Sequence, residues 1–446
     1  MLKRDTESCS ANGKPAIFSI AVVLWLAVTP CTADNYTVEK GQEGQVPEKN
    51  RQAIPYAFYN DATDTAVAAA FVAQGYIQPQ IDIVLNGFYS SNDSSNFFYL
   101  VQNIQMPFEE RLFLDAYGFF ADWGEIDSYR SGNPDFPDER AGSNDSDKDN
   151  FIQSEGTDDM LRLDFRYLLP IGHGAGRPIH EYVVERSGLL VAGSESGGDE
   201  WNPLTSGRTF LLFEFLNREQ DLDDPETGGA ELRTTAILLG VEYDNTDYWN
   251  NPTYGSRQRF AVMHDWGQNE EDGEEWTTVE LELSKFLDLG QSDTAYQRVL
   301  ALNSWWIDTP TWDDSSFHDG EEIFHRPPVY QGATLGGLDR QRAYPTARFS
   351  DRSAVNYAAE YRHMSKWNPF PQIPLINLLN IPWWQWTVFG ELGRVNDEWD
   401  LDELHEDMKW SIGAGARIMV EGVIVRVDFA TSEEQSEVQM FIGQTF

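Results

Sequence analysis

Four arginines, Arg340, Arg342, Arg348 and Arg352, crowd the stretch GGLDRQRAYPTARFSDR (336–352), with Tyr344 and Asp351 among them. The chemistry this offers is charge recognition. A guanidinium stays charged in a protein, and its planar fork can hold a carboxylate by two parallel bonds. The chain has 73 acidic residues for 32 basic ones, so carboxylates are plentiful and the arginine-rich loop is what needs a destination. Gly336 and Gly337, which open the stretch, allow a tight turn and a close approach to a wall.

Other groupings offer less. HDGEEIFH (318–325) gathers His318, Asp319, Glu321, Glu322 and His325, but with no fixed ligand spacing. DSDKDN (145–150) resembles the opening of a calcium loop, yet it lacks Gly at the sixth position and Glu at the twelfth. Ser and His are scattered and no G-x-S-x-G occurs. Acid–base pairs inside strands are more often structure than catalysis. The expectation is a non-enzyme with neither metal nor cofactor.

A formal charge of −41 repels nucleic acid, which excludes that partner. An aromatic share of 13% separates the chain from charged disordered ones. Lys3, Arg4 and Lys14, then AIFSIAVVLWLAV (16–28) and TPCTA (29–33), have the layout of a secretory signal. Cleavage after Ala33 would remove Cys9 and Cys31 and leave an exported chain without cysteine or disulfide. Pro30 argues against a lipid anchor on Cys31. No later segment has the roughly 18 consecutive apolar residues of a spanning helix.

Strands must therefore position the loop. In MLRLDFRYLLP (160–170), Leu161, Leu163, Phe165 and Tyr167 take one parity, and Arg162, Asp164 and Arg166 the other. RTTAILLGVEYD (233–244), AVNYAAEYR (354–362) and GVIVRVDFA (422–430) repeat this period of two, which is that of a strand. Alternation alone does not separate a soluble sandwich from a membrane barrel. The number of strands does. Sixteen candidates fall near 54–61, 63–76, 81–91, 96–107, 111–123, 159–171, 208–219, 232–244, 256–266, 274–287, 295–308, 351–364, 382–397, 407–420, 421–431 and 435–446. An unbroken soluble sheet rarely carries so many. An even number closes an antiparallel barrel and removes the edges that lipid cannot satisfy. The expected fold is all-β: a sixteen-stranded antiparallel transmembrane β-barrel over 54–446, after a signal peptide (1–33) and a short leader (34–53).

Connections 124–158, 220–231, 309–350 and 398–406 are long and acidic, while IQPQ (77–80), PFEER (107–111) and the turn near Val420 are short. Short connections belong to the periplasmic side. Two on that side are long: 172–207, holding HEYVVERSGLLV (180–191), and 365–381, where LINLLNI leads to Trp383, Trp384 and Trp386. Such tryptophans suit a membrane–water boundary.

In chain order come VEYDNTDYWNNPTYGSR (241–257), Gly336-Gly337 with Arg342-Ala343-Tyr344, and ARFSDRSAVNYAAEYR (347–362). Then follow Phe389-Gly390-Glu391-Leu392-Gly393, GAGAR (413–417), RVD (426–428) and IGQTF (442–446). On these motifs the chain resembles the barrel of the BamA/TamA-type outer-membrane assembly family, the bacterial surface antigen superfamily. That family's loop reads Gly-Gly, a spacer, then Arg-Gly-Phe/Tyr; here Ala343 replaces the Gly, and Glu391 replaces the Asp of strand thirteen. The span between Ala33 and Ile54 is too short for the family's periplasmic POTRA domains, so the resemblance is to a barrel-only branch.

The resemblance implies that the long external loop folds inward and that Arg342 meets Glu391, with Gly336, Gly337 and Tyr344 completing the lock. Arg348, Asp351, Arg352, Phe389, Gly393, Arg426 and Asp428 would support it. The polar parities supply further acid from Glu242, Asp244, Glu280, Glu282 and Glu360. Phe446 would serve as the C-terminal insertion signal. Pro55 in IPYAFYND (54–61) limits ladder bonds at an edge, which suggests a lateral seam against 437–446. The implied function is protein insertion into, or transport across, the outer membrane of a Gram-negative bacterium. Partners would be outer-membrane lipid and lipopolysaccharide, with a separate periplasmic subunit or a protein client. The alternative is a channel or structural surface barrel with no assembly role.

Overall fold

The computed structural model describes residues 37–41 and 49–446, apart from 61–62, 186, 199, 225–226, 268–274, 319–320, 375, 379–380, 421–422, 443 and 445. The expected signal peptide lies outside the described residues.

One antiparallel sheet of sixteen strands dominates, each strand paired with its neighbours in chain order. These are β1 (Asn50–Asn60), β2 (Asp64–Gln74), β3 (Asp82–Ser90), β4 (Ser95–Gln105), β5 (Leu112–Ser128), β6 (Ile152–Leu168), β7 (Arg208–Asp223) and β8 (Ala230–Asp244). They continue as β9 (Gly255–Asp265), β10 (Trp276–Asp288), β11 (Ala295–Asp308), β12 (Ser353–Ser365), β13 (Trp384–Asn396), β14 (Lys409–Val420), β15 (Val423–Ser432) and β16 (Ser436–Ile442).

The buried parity resolves what alternation left open. Leu239 is 60% exposed, Ile412 53% and Leu392 47%, whereas Arg362, Arg417 and Arg426 are at most 1% exposed. A soluble sheet would do the reverse, because each Å² of apolar surface left in water forgoes roughly 25 cal/mol. Apolar rows outward and charge inward is the arrangement of a barrel in lipid.

The sheet curls. Phe446, past the last strand, packs with Phe286 of β10, Val299 and Ala301 of β11 and Ala358 of β12. Strands lie about 4.8 Å apart, so a flat sheet would hold these groups roughly 20–30 Å away. Among the described residues no ladder joins β1 to β16.

The boundaries differ from the sequence pattern in four places. First, β1 begins at Asn50 rather than residue 54, so this edge strand is not short. Second, the β5–β6 and β7–β8 hairpins run on well past the apolar band. There both faces are polar, as where Arg233 meets its cross-strand neighbour Glu219 at 2.9 Å, so the period fades while the ladder continues. Third, β16 stops at Ile442, and the C-terminus turns into the lumen because Gln444 and Phe446 find partners there. Fourth, part of the expected leader is a strand: Thr37–Gly41 pairs in parallel with His180–Val184.

Candidate functional site

The connection from β11 to β12 carries the arginine-rich stretch. A short ladder, Ala333–Leu335 against Phe349–Asp351, brings its two limbs together. Gly336 and Gly337 lie at φ +109° and +106°, and a Cβ on Gly336 would stand 2.1 Å from the Pro345 carbonyl oxygen. Only glycine fits that turn. The tip closes through Gly337 N–H to Tyr344 O at 2.9 Å and Gly336 N–H to Arg340 O at 3.1 Å. Ala333, Leu335, Tyr344 and Phe349 then pack with Trp305, Ile307, Ala354 and Val395 of the inner wall. The loop is therefore inside the barrel.

At its tip Arg342 is fully buried. Its Nε donates to Glu391 Oε1 at 2.9 Å and its backbone N–H to Glu391 Oε2 at 2.7 Å. Nη1 donates to Asp428 at 2.8 Å and reaches Glu360 at 3.5 Å. The guanidinium lies 3.3 Å from the centre of the Phe389 ring. Burial would lower its pKa, but the carboxylates of Glu391, Asp428 and Glu360 outweigh that and hold it above the ordinary arginine value.

The cluster extends beyond this pair. Glu360 also accepts from Arg362 Nε at 2.8 Å and Arg417 Nη2 at 2.9 Å. Asp428 pairs with Arg417 and lies 3.5 Å from Arg426. Arg426 in turn holds the loop, donating to Leu338 O at 2.9 Å with Asp339 3.8 Å away. Four arginines (342, 362, 417 and 426) thus face four carboxylates (339, 360, 391 and 428). Gly393 leaves room beneath the tip, since a Cβ there would stand 2.6 Å from Gln341 Nε2. Tyr344 donates to Trp410 O at 3.2 Å.

The supporting residues fall in two groups. Phe389 and Asp428 meet Arg342, while Gly393 and Arg426 meet the adjoining Gln341 and Leu338. Arg348, Asp351 and Arg352 face the long-loop end. Arg348 forks onto Glu434 at 2.9 and 2.8 Å, and also donates to Ser146 O at 2.6 Å. Asp351 pairs with Arg140, and Arg352 with Asp308 at 3.2 Å and Asp313 at 2.9 Å. The 129–151 connection therefore lies over the inserted loop, helped by Ser350 N–H to Gly142 O at 2.8 Å. Sequence reading missed this clamp. Glu434 carries no motif, Ser146 lies in a stretch whose pattern points to calcium instead, and their partner is distant in the chain. Arg362 and Arg417 lie within family-like motifs, AVNYAAEYR and GAGAR, that name no partner for them.

The DSDKDN acids serve local bonds: Asp149 meets Lys148 at 2.8 Å, and Asp147 Oδ1 accepts the Asp149 N–H at 3.0 Å. Of HDGEEIFH, Asp319 and Gly320 lie outside the described residues. Among the described residues no three His, Cys, Asp or Glu side chains converge as a metal site requires.

The opposite, short-turn mouth is covered too. Segment 172–207 is rooted between β6 and β7, where Arg111 Nη1 donates to Gly174 O at 2.7 Å. It reaches as far as Leu189, packed on Met364, Trp383, Met419 and Ile424 at the ends of β12 to β15. That path crosses the opening. Gly188, at φ +81°, passes so close that a Cβ would stand 1.8 Å from Trp383 Cδ1. The β8–β9 turn supports the cover: Ser196 N–H donates to Asp247 O at 3.0 Å, and the Tyr182 and Tyr248 rings lie 5.0 Å apart. From the same turn, buried Asn251 donates to Gln297 at 2.9 Å and accepts from Gln385 at 2.8 Å. Between the inserted loop and the inner wall lies a cavity of about 190 Å³, lined by Arg162, Arg259, Glu280, Trp305, Arg340 and Phe446 among others.

No protein-family model matches the chain, and no curated protein matches it. Solved structures do. CdiB from Escherichia coli aligns over 89% of this chain and 62% of its own, at 10% identity and a TM-score of 0.52. BamA from Haemophilus ducreyi lacking POTRA domains 1–3 aligns over 88% of this chain and 69% of its own, at 12% identity and a TM-score of 0.44. CdiB from Acinetobacter baumannii aligns over 89% and 59%, at 9% identity and a TM-score of 0.46. The chain thus spans less than two thirds of either CdiB chain. The likeness to the Escherichia coli CdiB shows a shared fold.

Proposed function

We propose that this chain is an outer-membrane barrel of a Gram-negative-type envelope that takes part in inserting proteins into, or moving them across, that membrane. At rest its lumen is shut by its own loop and cover. The observation that supports this most is Arg342 held by Glu391, Glu360 and Asp428, in a sheet with apolar rows outward and charge inward. A buried arginine bound to three carboxylates makes the inward loop a fixed part of the wall, because removing one partner of such a pair costs roughly 3–5 kcal/mol. A lumen closed at both ends directs attention to the β1–β16 seam, where no ladder is formed among the described residues. The seven residues of β16 are the short side of that seam.

Crosslinking and mass spectrometry in native membranes test the reading. A periplasmic subunit or a client protein trapped at the seam supports it. Cysteine pairs across the seam that crosslink without any phenotype would remove the lateral route. The second reading is a channel or structural barrel with no assembly role; the cover over the short-turn mouth, which would bar a client from entering on that side, favours its structural form. It wins if no protein partner is trapped and reconstituted barrels conduct small solutes steadily.

A further inference from the structure

Lys285 breaks the outward-facing apolar rows. It is exposed on β10, three residues before the strand ends at Asp288, and its ammonium bonds with none of the described residues. Its cross-strand row runs Lys285, Leu302, Ala359, Gly390, Ile412 over five strands. Lys285 stands near the short-turn end, whereas Gly390 is midway along β13. The row therefore climbs obliquely through the apolar band. Its centre is low because Ala359 and Gly390 carry almost no side chain. The next row, with Tyr357, Leu392 and Trp410, stands higher and makes a wall. The result is a groove of about 960 Å³ on the outer face.

We propose that this groove holds one diacyl phospholipid of the surrounding bilayer, its phosphate on Lys285 and an acyl chain along Leu302, Ala359 and Gly390. The site rests on the outer-membrane reading above. Charge complementarity selects the occupant. In a chain with far more acid than base, Lys285 is the one cation lining the groove, and the Glu391 carboxylate beside it is turned inward onto Arg342. A lysine stem can lie along apolar surface while its ammonium reaches the headgroups. Trp201, 71% exposed, lines the same groove and donates from Nε1 to Gln258 at 3.0 Å. Tryptophan there marks headgroup level. Length agrees as well. Five strands about 4.8 Å apart make a row of about 19 Å. Tilted near 45°, it spans about 13 Å of depth, close to one leaflet.

The test is native mass spectrometry of the full chain released from mild detergent, with dioleoyl phosphatidylglycerol or dioleoylglycerol added. Wild type should keep one phosphatidylglycerol and not the phosphate-free diacylglycerol. Lys285→Gln and Gly390→Leu should each reduce retention at least fivefold, Lys285→Arg should preserve it, and Leu239→Ala, on another outward row, should leave it unchanged. Equal retention in all variants, or equal retention of both lipids, means annular lipid only and overturns the site. Flotation with vesicles is scored separately. A chain that floats but keeps no lipid loses the site alone, and one that does not float loses the membrane reading as well.

Discussion

Glu391 holds Arg342 twice: one carboxylate oxygen takes the backbone N–H at 2.7 Å and the other the side-chain Nε at 2.9 Å. The contact fixes the loop's path as well as its charge. Glu391→Arg should unseat the loop, lowering stability by roughly 3–5 kcal/mol and raising single-channel conductance. Adding Arg342→Glu should restore part of both. Unchanged thermal stability and conductance in Glu391→Arg would sink the lock.

Gly393 lets the loop tip reach the wall. A Cβ at this position meets Gln341 Nε2 at 2.6 Å and Leu335 Cδ1 at 3.0 Å. Gly393→Val should cost about 1–3 kcal/mol through overpacking, and Gln341→Ala in the same chain should recover a measurable part. Thermal unfolding of the three variants decides; no recovery means the strain lies elsewhere.

Ala343 sits buried at φ +68°, a left-handed conformation that costs an L-residue roughly 1–2 kcal/mol. The resemblance pointed to a glycine here, and the backbone shows why. Ala343→Gly should stabilise the barrel by about 1 kcal/mol, read as a higher unfolding midpoint. A lower midpoint would show that the methyl packs more than it strains.

The cover should detach without unfolding the barrel. Gly188→Val clashes with Trp383 and is strained at φ +81°. Protease cleavage around residues 185–191 should accelerate at least tenfold, with the thermal midpoint of the barrel nearly unchanged. A parallel fall in both would mean that cover and barrel form one cooperative unit.

Asp247, in the β8–β9 turn, has its pKa pushed up to about 6 by burial, against the bonds from Thr253 and Tyr254 that favour its charged form. The folded state therefore binds this proton more tightly than the unfolded state. Its contribution is present in full below about pH 4 and is lost as pH rises to about 6, on the order of 2 kcal/mol. Unfolding of wild type minus Asp247→Asn, measured from pH 4 to 7, should show that slope. A flat difference would count against it.

Much of the barrel is visible in the sequence because its outward face is apolar and its inward face charged, which imposes the period. Leu161, Leu163 and Phe165 must face outward, and Arg162, Asp164 and Arg166 are left facing in. Where both faces are polar, as along Arg218–Asp223, the pattern fades and the sequence misplaces the strand ends. The Arg342–Glu391 pairing was legible through a motif, not through spacing. Arg348 on Ser146 and Leu189 on Trp383 were not, since each joins segments that only the curl of the sheet brings together. Phe446 was read as the end of a strand because its parity allows it, but the cluster of Phe286, Val299 and Ala301 draws it inward.

Thr37–Gly41 lies parallel on His180–Val184, five residues against five. The segment ahead of the barrel is thereby coupled mechanically to the piece that crosses the mouth. The first strand cannot be drawn away from the cover without breaking that ladder. Anything that grips the chain ahead of Thr37 holds a drawstring on the cover.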